Sequence, residues 1–100
     1  MASTHSEAAR ILGERIRGVR LGLGMSQEEI AQLADIHVTN LGKIERGQAN
    51  PSLTTIVRVS GVLGTDPAEL VRGLGLEDLP DTTRPLTVAD FVRERRSRGL

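Results

Sequence analysis

A chain of 100 residues with 38% apolar content has room for one small domain and a tail, and no apolar run approaches the roughly 18 residues of a membrane span. It has no cysteine, and its two histidines, His5 and His37, lie far apart in sequence, which excludes disulfides and thiolate metal sites and gives no sign of a metal pair. Thirteen basic residues balance thirteen acidic ones, so bulk charge supplies no argument for a polyanionic partner and only the distribution of charge can.

Phe91 is the single aromatic residue, so the core must be built from Leu, Ile, Val and Ala, which points to an all-α fold. The polar N-terminus lacks the apolar stretch of a secretory signal, and the expected location is cytoplasmic. Charge is segregated along the chain. Residues 15–50 carry five basic and four acidic side chains, residues 76–90 one and four, and residues 91–98 four and one.

Ala8, Leu12, Ile16, Val19 and Leu23 recur at spacings of four, four, three and four. That stripe predicts a first helix over roughly residues 6–22 with one buried face, Arg10, Glu14, Arg17 and Arg20 falling between, and Gly22 and Gly24 ending it. Ser26 and Glu29 form the S-x-x-E pattern of a capping box, which opens a second helix running to about Ala34 with Ile30, Leu33 and Ala34 inward. Asp35 and Ile36 make a very short break. A third helix then starts at His37 or Val38, so two short helices are joined by a tight turn.

The stretch GQANPS interrupts the chain, and Ser52 caps a fourth helix whose buried face is expected to be Leu53, Ile56, Val57 and Leu63. Gly64 stops it. Asp66, Pro67 and Glu69 read as cap, first position and capping partner of a fifth helix, with Leu70, Val71 and Leu74 closing the core. Past Gly75 the composition becomes an acidic, proline-flanked linker, so the expected division is a globular domain over 1–75 and a linker with a tail over 76–100. Thr87 with Asp90 offers a cap for a short C-terminal helix. Val88, Phe91 and Val92 share its face before the cluster RERRSR.

At about 100° per residue, Leu41 and Ile44 define the buried side of the third helix and Thr39, Gly42, Lys43 and Arg46 the opposite one. That outer face carries hydrogen-bond donors, no acid, and a glycine expected to let a surface approach closely, which suits a DNA major groove. Any surface helix is polar outside. The tight helix pair is the more specific feature, since a helix-turn-helix braces its first helix on the DNA backbone and presents the second to base edges.

The stretch LGERIRGVRLGLGMSQEEIAQLADIHVTNLGKIERGQANPSL resembles the Cro/C1-type (XRE family) helix-turn-helix domain over about residues 8–75. The matching elements are SQEEIA in helix two, IERG closing helix three, NPSL opening helix four and LG closing it, all at the family's spacing. The resemblance implies a five-helix lambda-repressor-like fold and DNA binding, usually as a homodimer on a palindromic operator. It assigns base contacts to Gln27, Val38, Thr39 and Lys43, and an internal ion pair to Arg20 and Glu45. Thr39 can give or accept a hydrogen bond, Val38 can meet a thymine methyl or simply pack in the core, and Lys43 can donate to guanine.

Ser26, His37, Asn40, Arg46, Asn50 and Ser52 are the candidates for the DNA backbone, where helix-start amides and a guanidinium can hold phosphate. Ser52 is expected to serve also as a cap, and Asn40 could reach phosphate or nothing. The chain departs from the family at Asp35, where glycine is usual, and at His37, where serine or threonine is usual. Asp accepts left-handed geometry less easily than glycine, and His caps poorly.

No nucleophile with a base, no phosphate-cradling glycine loop and no paired carboxylates stand out, so no enzyme and no cofactor are expected. The expected function is a sequence-specific DNA-binding transcriptional regulator. The alternative is an antitoxin-like or other protein-interaction module that works through residues 86–100. That segment could pair with its copy, pack on the domain, trail as a DNA-attracting tail, or bind RNA polymerase or another protein.

Overall fold

The computed structural model describes residues 4–80 and 87–99. Among them are six α-helices and no strand: α1 (Glu7–Gly22), α2 (Gln27–Ala34), α3 (Val38–Glu45), α4 (Leu53–Leu63), α5 (Pro67–Val71) and α6 (Val88–Ser97), with a 3-10 turn at Leu76–Asp78. The linker residues 81–86, and residues 86 and 100 of the tail, lie outside the described residues.

Short polar side chains set the helix starts. The hydroxyls of Ser6, Ser26, Ser52 and Thr87 and the carboxylate of Asp66 each accept a hydrogen bond from a first-turn amide. At Ser26 the box is reciprocal, since its own N–H donates to Glu29 Oε1 at 2.9 Å. His37 occupies the same position before α3 without a side-chain bond. Asp35 takes the left-handed conformation, φ 57°, at the end of α2, so the sharp turn into α3 is made by a residue with a Cβ.

The core joins Leu12 and Ile16 of α1, Ile30, Ala31 and Ala34 of α2, Leu41 and Ile44 of α3, Val59 and Leu63 of α4, and Leu70 of α5. Several expected core residues lie elsewhere. Leu23, Leu33, Leu53, Val57 and Val71 are exposed, and Ala9 rather than Ala8 is buried on α1. In α4 the buried stripe is Val59, Ser60 and Leu63 backed by Ile56, one register away from the expected one. Ser60 hides this from a reading of apolar periodicity. Its hydroxyl donates to the Val57 carbonyl at 2.9 Å, so a polar residue is satisfied inside the core. α5 ends at Val71, so Leu74 lies beyond the helix, and Arg15 Nη1 donates to the Leu70 and Arg72 carbonyls. Leu79 and Pro80 continue along the bundle, lining a hollow of about 230 Å³ with Ala8, Leu12, Ile56 and Leu74.

Two contacts fix α3 on α1. At Gly13 the helix backbones meet, since a Cβ there would collide with the Ile44 carbonyl and lie 2.7 Å from that of Glu45. Four residues farther along α1 than Ile16, Arg20 is buried and reaches the same end of α3. Its Nε and Nη2 donate to Glu45 Oε2 and Oε1 at 2.7 and 2.8 Å, and its Nη1 donates to the Met25 carbonyl. Burial alone would push the Glu45 carboxyl up. Hydrogen bonds from Arg20 and Gln27 and the charges of Arg20 and Arg17 outweigh that, holding it below the usual glutamate range.

Gly13→Ala is expected to cost about 2–3 kcal/mol, because a rigid backbone carbonyl cannot step aside as a side chain can. A urea titration reads it. Arg20→Ala or Glu45→Ala strands the other charge and is expected to cost about 3 kcal/mol in the same titration. Because the Glu45 value is lowered on folding, its contribution is complete above the ordinary glutamate pKa of about 4.3 and disappears as pH falls through the folded value. Unfolding midpoints measured from pH 6 to 3 should therefore fall more steeply for the native chain than for Glu45→Gln.

Candidate nucleic-acid interface

The third helix buries Leu41, Gly42, Ile44 and Glu45 and exposes Val38, Thr39, Asn40, Lys43 and Arg46. Val38 is 40% exposed and stands outside the core, so its methyl groups are available at the surface. Thr39 and Asn40 follow it with no internal hydrogen bond to their side chains among the described residues, and Lys43 carries an uncommitted ammonium. Donors, an acceptor and methyl groups thus appear together on a helix narrow enough for a major groove.

Gly42 corrects the expectation of a bare patch open to an approaching surface. It is buried, and a Cβ there would lie 3.0 Å from Arg46 Nη1 and 3.6 Å from Gln27 Oε1. The glycine makes room for two covering side chains rather than for a ligand. A Cβ would still require Arg46 to shift, which a flexible guanidinium can do.

Gln27, the first residue of α2, donates from Nε2 to Glu45 Oε1 at 3.0 Å. A carboxylate only accepts, so this contact fixes which end of the amide faces inward. The carbonyl end then lies toward Gly42 and Arg46, and one N–H remains uncommitted. The Arg46 Nε donates to Gln48 Oε1 at 3.0 Å, which holds the guanidinium at the close of α3. Gln27, Glu45, Gly42 and Arg46 therefore form one cluster, assembled on the buried carboxylate.

The remaining sequence-expected residues are exposed. Ser26 is exposed and spends its hydroxyl's acceptor capacity on the α2 cap. His37 is exposed at the start of α3 with a ring that caps nothing. Ser52 accepts from Thr55 N–H at 3.1 Å, and Asn50 stands beside the hollow under α1. Both are exposed on the approach to α4, and no hydrogen bond ties either to a side chain of α3. Arg17 lies between Gly13 and Arg20 on one strip of α1 and is exposed, and its charge helps to lower the Glu45 carboxyl.

The fold recurs in known proteins. The helix-turn-helix family profile matches residues 16–70, from the middle of α1 to α5. The control protein C.BamHI of Bacillus amyloliquefaciens is 40% identical over 62 residues, which span 61% of this chain and 76% of that one. Among solved structures, the restriction-modification controller protein C.AhdI from Aeromonas hydrophila superposes with a TM-score of 0.61 at 37% identity, covering 62% of this chain and 94% of its own. The P22 c2 repressor, solved with a synthetic operator, superposes at 0.60 with 25% identity over 64% of this chain and 97% of its own. With the profile spanning more than half the chain and the helix pair in the matching place, the protein belongs to the XRE-type helix-turn-helix family of DNA-binding transcriptional regulators.

Proposed function

We propose that the protein occupies a two-fold symmetric operator as a homodimer, each copy inserting α3 into the major groove. The observation that carries this reading is the run of exposed side chains on α3, from Val38 to Arg46, on a helix whose other face is locked to α1. Thr39, Lys43 and Val38 read base edges, with Gln27 beside them. Arg46, Asn40, His37, Ser26, Asn50 and Ser52 meet the sugar–phosphate backbone. The likeness to a repressor solved with its operator supports this. Such a regulator acts by occupancy, without catalysis, in the compartment that holds its DNA.

A second reading concerns α6. Val88 and Phe91 are 80% and 54% exposed, Val92 lies on the same side, and the Arg95 guanidinium sits 5.8 Å from the Phe91 ring centre. No described residue of α6 is buried. We read this face as a contact that helps two copies pair, the alternatives being an antitoxin-like capture of another protein or a touch on RNA polymerase.

Selection of bound sequences from a random duplex library should return a site with two-fold symmetry. On that site Lys43→Ala is expected to lose about 1–3 kcal/mol of discrimination at one symmetric pair of positions, whereas Arg46→Ala weakens all duplexes alike. A Lys43→Ala protein with undiminished sequence preference refutes the role given to that residue. For α6, Val88→Asp with Phe91→Asp should lower the dimer fraction in sedimentation equilibrium, and an unchanged mass distribution excludes that face from pairing.

A further inference from the structure

Four arginines lie on α1, and three have structural employment. Arg10 pairs with Glu7 and Glu14, Arg15 holds the carbonyls at the end of α5, and Arg20 is spent on Glu45 and the Met25 carbonyl. Arg17 is exposed and, among the described residues, has neither a hydrogen bond nor an ion pair.

Its place on the helix is specific. Arg17 stands four residues after Gly13, where α1 touches the backbone at the end of α3, and three before Arg20, which reaches Glu45. Residues at these spacings share one strip, so Arg17 rises beside the closing turn of α3, near enough for its charge to act on Glu45. Glu45 already receives two bonds from Arg20 and one from Gln27 and takes none from Arg17. Arg17 and Arg20 against Glu45 leave one net positive charge there, carried by the exposed member.

The geometry points to Arg17 as a phosphate anchor that extends the DNA interface from α2 and α3 onto α1. The inference rests on the operator reading. With α3 in the groove, the neighbouring strip of α1 faces the strand that forms the groove's wall, not base edges. A guanidinium matches a phosphodiester there in charge and in its forked donors. Base sequence is not visible to it, so Arg17 contributes affinity and register without selectivity.

The test is a salt titration of the full chain by fluorescence anisotropy, on the selected duplex and on a random one, with Lys43→Ala in parallel. Arg17→Ala is expected to bind both duplexes several-fold more weakly, with a log–log salt slope shallower by about 1.8 for the dimer, one phosphate contact being lost from each copy. Arg17→Lys should recover the slope and keep the native urea midpoint, and Arg17→Ala should lower that midpoint only slightly, through the charge lost beside Glu45. A native slope in Arg17→Ala, while Lys43→Ala still loses base preference, overturns the anchor and leaves the operator reading intact. A loss in Arg17→Ala confined to particular base pairs, or a fallen urea midpoint that accounts for the weakened binding, also overturns it. Absence of duplex binding by the native chain at every salt overturns the operator reading and the anchor together.

Discussion

A single carboxylate organises the functional end of this bundle. Glu45 is buried where α1, α2 and α3 converge, with side-chain exposure of only 1%. An ionised group in that position is tolerable only with its lone pairs filled, and Arg20 and Gln27 fill them from two different helices. The consequence is geometric. A charge that must be satisfied from two directions fixes the positions of both donors, so the first turn of α2 and the last turn of α3 are locked in one arrangement. The short break at Asp35 would otherwise let the helix pair hinge.

The same carboxylate determines what faces outward. Because it claims one amide hydrogen of Gln27, the carbonyl of that side chain turns toward Gly42 and Arg46. Arg46 is in turn held by Gln48 across the close of α3. Side chains expected to meet DNA are thus partly ordered before any ligand arrives, which lowers the entropy that binding must overcome. Lys43 and Thr39 make no side-chain hydrogen bond among the described residues.

Much of the architecture was legible in the sequence because it is encoded locally. Ser26 with Glu29, Asp66 with Pro67 and Thr87 with Asp90 announce helix starts within four residues, and all three helices begin there. Core registers were harder. In α4, Leu53 and Val57 present as convincing a stripe as the true one, and the deciding residue, Ser60, is polar and closes its own hydrogen bond. The site divided in the same way. The exposed row on α3 follows from a helical wheel, whereas the covering of Gly42, the Gln27 tether and the placing of Arg17 near Glu45 depend on how the helices cross. That crossing is a property of packing, not of spacing within one segment.

Backbone against backbone at Gly13 has a consequence for recognition. Where helices meet through side chains, rotamer changes let one slide or tilt against the other. Here no such cushion separates α1 from the end of α3, and a buried ion pair bolts the crossing seven residues farther along α1. The crossing is therefore stiff, and on the proposed docking any mismatch with a duplex is absorbed by the nucleic acid, so that base steps which bend or twist readily gain an advantage even where no side chain touches them.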